Sequence, residues 1–285
     1  MLKGKVAVVT GASRGVGKGI ALALGSEGAT VYITGRSATE SDSPIGGTVF
    51  ATAAEVTKRG GHGIAVVCDH RDDKQVRALF ERVEKESGRL DILVNNACAI
   101  PDQLADSGPF WSKPLDLVQI LDVGMRSNYV ASYYAAPMLN RNGGLVVNIS
   151  SPGSRCYLHG PVYGAGKAAT DKMAHDMAHD FKPFGVVAVS MWPGFVKTER
   201  VMQGIAGRPN HKYAAFIEMG ESPEFTGRVI AALFADPDRM SISGQVHIVA
   251  ELAHRYGVKD VDGKEPGSPR AFLGGPPEYS PAVIE

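Results

Sequence analysis

Short runs of β-branched and aliphatic residues alternate along the chain with longer segments of helical periodicity. The apolar runs fall at residues 5–10, 30–34, 63–68, 92–95, 145–150, 186–192 and 244–249. Several are continuous rather than alternating, which is how strands covered on both faces read. Between them, apolar spacing predicts helices over 15–27, 48–59, 73–87, 114–139, 162–181 and 223–235. Strands and helices in regular alternation describe βαβ units wound around a parallel sheet. Two stretches, 38–47 and 197–219, read as insertions after the second and sixth strands. The tail from Lys259 carries prolines at 266, 269, 276, 277 and 281. It reads as an irregular arm lying on the body or on a neighbouring subunit. One domain is expected over 1–258, with 259–285 as its arm rather than a second domain.

Composition narrows the function classes. The 285 residues are 44% hydrophobic and 21% charged, enough for one large core. Lys+Arg and Asp+Glu are both 30, so no basic excess points to nucleic acid or an anionic membrane. No apolar run approaches the roughly 18 residues of a membrane span, and 6–9 is too short for a signal segment. A soluble, cytoplasmic protein is expected. Cys68, Cys98 and Cys156 lack CxxC spacing, so neither a disulfide framework nor a zinc site is expected.

Candidate chemistry begins at the first strand–helix junction, where residues 10–17 read TGASRGVG. Gly11, Gly15 and Gly17 let the backbone turn tightly and approach a diphosphate, whose charge meets amides at a helix N-terminus. The second strand ends in Thr34-Gly35-Arg36, with no acid to hold a ribose 2′-hydroxyl. Arg14 and Arg36 aimed at one spot suit a 2′-phosphate, which predicts NADP (as NADPH) over NAD. Tyr163 and Lys167 stand four apart, on one face of a helix. A free phenol ionises near pH 10, roughly, and a neighbouring ammonium favours its anion. Ser151, twelve residues before Tyr163, would hold a substrate oxygen for proton exchange.

These features, with Asp69 after the third run, Asn95-Asn96-Ala97 after the fourth, Ser150-Ser151 after the fifth and Pro193-Gly194 followed by Thr198, occur in one order. In that order the chain resembles the short-chain dehydrogenase/reductase family over about residues 4–257. FWSKPL at 110–115, SSPGS at 150–154 and AHRYGVKDVDG at 253–263 are similar to its dehydrogenase/reductase member 1 branch. The resemblance implies an α/β, Rossmann-type doubly wound single domain with a seven-stranded parallel sheet. It implies an oxidoreductase interconverting a small-molecule carbonyl and its alcohol, with Ser151, Tyr163 and Lys167 as catalytic residues. Cofactor contacts are implied for Gly11, Ser13, Arg14, Gly15, Val16, Gly17, Arg36, Asp69, Asn95, Ala97, Tyr163, Lys167, Pro193, Val196 and Thr198. Asp69 would meet adenine, Asn95 would hold the loop beside the ribose, and Thr198 would meet the nicotinamide amide or the diphosphate. The family also pairs the helices 114–139 and 162–181 with symmetry mates, which implies a homodimer or homotetramer. A sensor that binds NADP(H) without turnover is the rival, although its kind typically loses the Tyr or the Lys. An acyl-thioester reductase also remains open, given Arg155, Lys197, Arg200 and Arg208.

Two positions depart from the family pattern. Gly124 stands where an Asn is usual, with Asn128 one turn on as a candidate substitute, and Cys98 stands where Gly is usual. His175-Asp176-Met177-Ala178-His179 superficially resembles a zinc motif. The acid is Asp rather than Glu, no third ligand is evident, and the two imidazoles lie about 120° and 160° round the helix from Tyr163. No metal is expected. Phe110, Trp111, Tyr157, Leu158, Phe195, Val201, Met202 and Phe216 are candidate pocket walls, and they favour a bulky apolar substrate.

Overall fold

The computed structural model describes residues 1–206, 208 and 214–284. Among them, β1 (Val6–Val9), β2 (Thr30–Gly35), β3 (His62–Val67), β4 (Ile92–Asn95), β5 (Leu145–Ile149), β6 (Val187–Trp192) and β7 (Val246–Ile248) form one sheet. All neighbours are parallel, in the order β3-β2-β1-β4-β5-β6-β7. The strand order reverses between β1 and β4, and ligands of such sheets bind beyond the carboxyl ends at that point.

Helices cover both faces. Ala7 and Val9 pack with α1 (Gly15–Ser26), α2 (Val49–Lys58), α8 (Phe225–Ala235) and α9 (Val249–Tyr256). Val6 and Val8 pack against α3 (Asp73–Ser87), α5 (Ser127–Asn142) and α6 (Pro161–Phe181). Every residue of β1, β4, β5 and β6 is buried, which is why their sequences do not alternate.

Three expectations need correction. The segment 114–139 is not one helix. It runs as single turns at Leu115–Val118 and α4 (Gln119–Leu121), leaves helical geometry at Val123 and Gly124, and resumes as α5. The groups freed by the break find partners elsewhere. Val123 O accepts Ala99 N–H at 2.8 Å, and Gly124 N–H donates to Ser127 Oγ at 3.0 Å. Gly124 O accepts from Asn128 Nδ2 and Thr170 Oγ1, both at 3.1 Å. Second, the strand expected over 244–249 is shorter, because Val249 already opens α9 with no intervening loop. Third, the arm expected to be irregular contains a helical turn, α10 (Arg270–Leu273), and the insertion after β6 carries α7 (Glu199–Ile205).

The arm lies on its own chain. Arg270 forks onto Glu251 at 2.7 and 2.6 Å, and Tyr279 stacks on His175 with ring centroids 4.6 Å apart. Tyr279 also packs against Trp192, Val246, Ile248 and Ala250. Among the described residues, no helix is long and apolar enough to cross a membrane.

Candidate active site

The carboxyl ends of β1, β4, β5 and β6 bring the sequence motifs to one edge of the sheet. After β1, Thr10 and Gly11 turn toward α1, and the loop after β4 is sewn onto them. Thr10 Oγ1 accepts the amides of Asn96 and Ala97 at 2.9 and 3.0 Å. Asn96 Nδ2 donates to Thr10 O and Gly11 O at 2.9 and 3.0 Å. A Cβ on Gly17 would lie 2.3 Å from that same Nδ2, so the tie and the glycine require each other. Asn95 does not hold this loop. It points into the layer behind, donating to Ser132 Oγ and Asn148 Oδ1, each at 2.9 Å. The loop-holding role expected of Asn95 falls to its neighbour, because adjacent residues at a strand end face opposite sides.

Arg14, expected to share one anion with Arg36, spends donors on its own chain. Arg14 donates from Nε to Gly46 O at 2.6 Å, and from its guanidinium to Ser37 Oγ at 2.7 Å and Gly47 O at 2.8 Å. These contacts fold the 38–47 insertion against the glycine loop. Burial lowers the Arg14 pKa, and the nearby positive charges of Arg200 and Arg36 add to that, opposed by Glu199 and Glu40. Arg36 is exposed at the end of β2. Asp69 is half-buried, and its carboxylate accepts Arg71 N–H at 3.0 Å.

Beyond β5, Ser151 caps a single turn, its Oγ accepting Gly153 N–H at 3.1 Å. The Tyr163 hydroxyl donates to the same Oγ at 3.0 Å. Lys167 is buried one turn further along α6, donating from Nζ to Ile149 O at 3.0 Å and lying 5.8 Å from the Tyr163 ring centroid. Ser150 faces away and donates to Lys167 O at 3.2 Å. Asp171 fixes α6 to the sheet by accepting Ser190 Oγ at 2.6 Å and Trp192 Nε1 at 3.1 Å. Burial raises its carboxyl pKa against those bonds. Neither Asp171 nor His159 stands out in the sequence as part of the site. The His159 ring meets Tyr163 edge-on at 5.1 Å, and the residue holds a left-handed φ of 61°. Its place directly before Gly160-Pro161 was the available signal.

Asn128 is buried and donates from Nδ2 to Gly124 O at 3.1 Å. The Cys98 thiol lies 3.0 Å from where a Gly124 Cβ would stand, so the two departures from the family pattern are one packing arrangement. His175 Nδ1 bonds Gly244 O at 3.0 Å, in keeping with its position away from Tyr163.

The segment after β6 closes the site from the other side. Thr198 Oγ1 caps α7, accepting Val201 N–H at 3.4 Å, and Val196 bridges to Glu221. Glu199 Oε2 accepts Gly15 N–H at 2.8 Å, while Arg200 pairs with Asp102 at 3.2 Å. Phe195 and Phe216, both candidate walls, lie 5.8 Å apart. Phe110 and Trp111 pair edge-on at 5.2 Å and are exposed, as is Tyr157.

Beneath this segment the Glu221 carboxyl is fully enclosed. Burial pushes its pKa up to about 8; Gly194 N–H and Lys197 oppose the rise and Asp260 adds to it. The ordinary value is 4.5, so at intermediate pH the folded chain keeps a proton that the unfolded chain releases. This contribution to stability is full below the lower value and is lost as pH rises through the upper one. The slope is about 1.4 kcal/mol per pH unit inside that window. The melting temperature should therefore fall between mildly acidic and mildly alkaline pH. Glu221→Gln should flatten that decline in thermal unfolding, and an unchanged slope would assign it to other groups.

A doubly wound parallel sheet whose carboxyl edge gathers a glycine loop, a Ser–Tyr hydrogen bond and a buried lysine is the architecture of a dinucleotide-dependent oxidoreductase. The chain belongs to the short chain dehydrogenase family, whose profile matches residues 5–208. It is 43% identical over 274 residues to dehydrogenase/reductase SDR family member 1 of Mus musculus, spanning 92% of this chain and 85% of that one. The Homo sapiens protein of the same name is 42% identical over the same shares. A crystal structure of a putative dehydrogenase from Xanthomonas campestris superposes with a TM-score of 0.77 at 29% identity, covering 95% of this chain and 96% of the other. Family membership brings dehydrogenase or reductase activity and binding of a nicotinamide dinucleotide.

Proposed function

We propose that this protein reduces a ketone or aldehyde to its alcohol with NADPH, acting on a bulky apolar substrate. The observation that carries the reading is the 3.0 Å contact between the Tyr163 hydroxyl and Ser151 Oγ, with Lys167 held beside the ring. The bound dinucleotide supplies the hydride. Ser151 and Tyr163 would place two hydroxyls on one carbonyl oxygen, and Tyr163 would pass its proton there. The Lys167 ammonium stabilises charge developing on the tyrosine oxygen. The glycine loop fits an anionic cofactor, since the Gly15 amide already donates to a carboxylate. Gly11, Ser13, Val16, Ala97, Pro193, Val196 and Thr198 are the remaining proposed contacts.

The preference for NADP rests on Arg36 and on the absence of an acid at the end of β2, with Arg14 acting through the insertion that it anchors. Purified protein should consume NADPH with apolar ketones. Arg36→Ala should weaken NADPH binding about ten- to a hundredfold more than NADH binding, as expected for a lost charge-assisted contact. Equal losses would leave Arg36 a packing role, and binding without turnover would favour the sensor reading. The exposed cations Arg155, Arg200 and Arg208 favour a second substrate class, acyl thioesters, which belongs in the same panel.

The free thiols of Cys68, Cys98 and Cys156 support a cytoplasmic location. We further propose a two-fold homo-oligomer of single-domain subunits, a dimer or tetramer. On α5, Tyr129 and Tyr133 are 55% and 64% exposed, and on α6 Ala165 and Ala168 lie open. Sedimentation at micromolar concentration should give at least twice the 30.2 kDa of one chain, and a monomer would refute it.

A further inference from the structure

The segment that follows β6 ends as a strap across the mouth of the site. Thr198 begins α7, and the two residues after it tie that helix to opposite rims. Glu199 reaches the glycine loop, where its Oε2 accepts Gly15 N–H at 2.8 Å. Arg200 reaches Asp102, on the loop after β4, at 3.2 Å. The fit on the glycine-loop side is close, with the Thr198 methyl 3.6 Å from where a Gly15 Cβ would stand.

Gly15 is the first residue of the twelve-residue helix α1. Its amide is one of those that no helical carbonyl can satisfy, and it carries part of the positive end of the helix dipole. Glu199 supplies a negative charge at that position. A diphosphate approaching the same amide carries like charge, and the two anions repel at contact distance. Arg14 lies within electrostatic reach of both Glu199 and Arg200. A carboxylate displaced from Gly15 therefore has cationic neighbours to turn to.

We propose that Glu199 is a resident anion on the glycine loop that the dinucleotide's diphosphate must displace. Cofactor binding and release of the strap are then one event. The inference rests on the reading of the glycine loop as the dinucleotide site. Glu199 lowers cofactor affinity and keeps α7 tied to the glycine loop until the cofactor arrives.

The test is a binding titration of the full chain, read by nicotinamide fluorescence or calorimetry and independent of turnover. Glu199→Gln keeps size and hydrogen bonding but removes the charge. It should bind NADPH and ADP-ribose about tenfold more tightly than the unaltered protein. Adenosine 2′-phosphate, which has no diphosphate, should bind both proteins equally. Glu199→Asp keeps the charge but is one methylene short of Gly15, and it should also bind NADPH more tightly, roughly threefold. Unchanged or weaker NADPH binding in Glu199→Gln would make the residue a clasp over bound cofactor and overturn the proposal. Equal tightening for adenosine 2′-phosphate would reduce the effect to a general field and overturn it too. If the unaltered protein binds neither NADPH nor NADH, the underlying functional reading fails as well, a result distinct from both.

Discussion

Tyr163→Phe is expected to lower kcat for carbonyl reduction about a thousandfold while NADPH affinity stays within about twofold. The substitution removes the one oxygen that donates to Ser151 Oγ and leaves the ring in place. That ring packs against Ala99, Leu104, Leu117 and Ile120, so the fold should not register the change. It also sits close against Gly153, where a Cβ would come within 2.6 Å of Tyr163 Cε1. Steady-state kinetics with an apolar ketone, beside an NADPH titration, separates loss of chemistry from loss of binding. Retention of full turnover would move the proton to another group. The His159 ring, 5.1 Å away, is the first to examine.

The parts of this molecule legible in the sequence are those fixed by local pattern. Strands buried on both faces appear as short continuous apolar runs, and β4 and α3 fall where periodicity puts them. The glycine loop and the Tyr–Lys pair are legible for the same reason, because each lies within a few residues of itself. What escaped was settled by distant partners. The break at Val123 and Gly124 is held by Ala99 and Thr170, and neither residue is near it in the chain. Arg14 is taken up by carbonyls at 46 and 47, so its sequence neighbours say nothing of its direction. Asn95 and Asn96 are the same letter twice, and only the strand pleat tells which one ties the loop. Glu199 meets Gly15 across 184 positions, and no spacing rule connects them. Glu221 reads as an ordinary surface acid before a helix, yet the loop carrying Gly194 folds over it.

Restoring the family's usual residue by Gly124→Asn should destabilise the protein by about 2–6 kcal/mol rather than improve it. Gly124 has φ 132° and ψ −18°, outside the left-handed well that asparagine tolerates. Holding an L-residue there costs of order 1–3 kcal/mol. The new Cβ would also stand 3.0 Å from Cys98 Sγ, an overlap that the buried site cannot relieve by moving toward solvent. Such overpacking costs about 1–3 kcal/mol more. Denaturant midpoints should show the loss, and Cys98→Gly in the same chain should recover only the part due to the thiol. The remainder is backbone strain, kept in place because Gly124 O is bonded to both Asn128 and Thr170. Full recovery in the double variant would mean that the break closes once the thiol is gone, and that the thiol creates it. Partial recovery would mean that the break is intrinsic to this chain and that Cys98 fills the space left by the missing side chain.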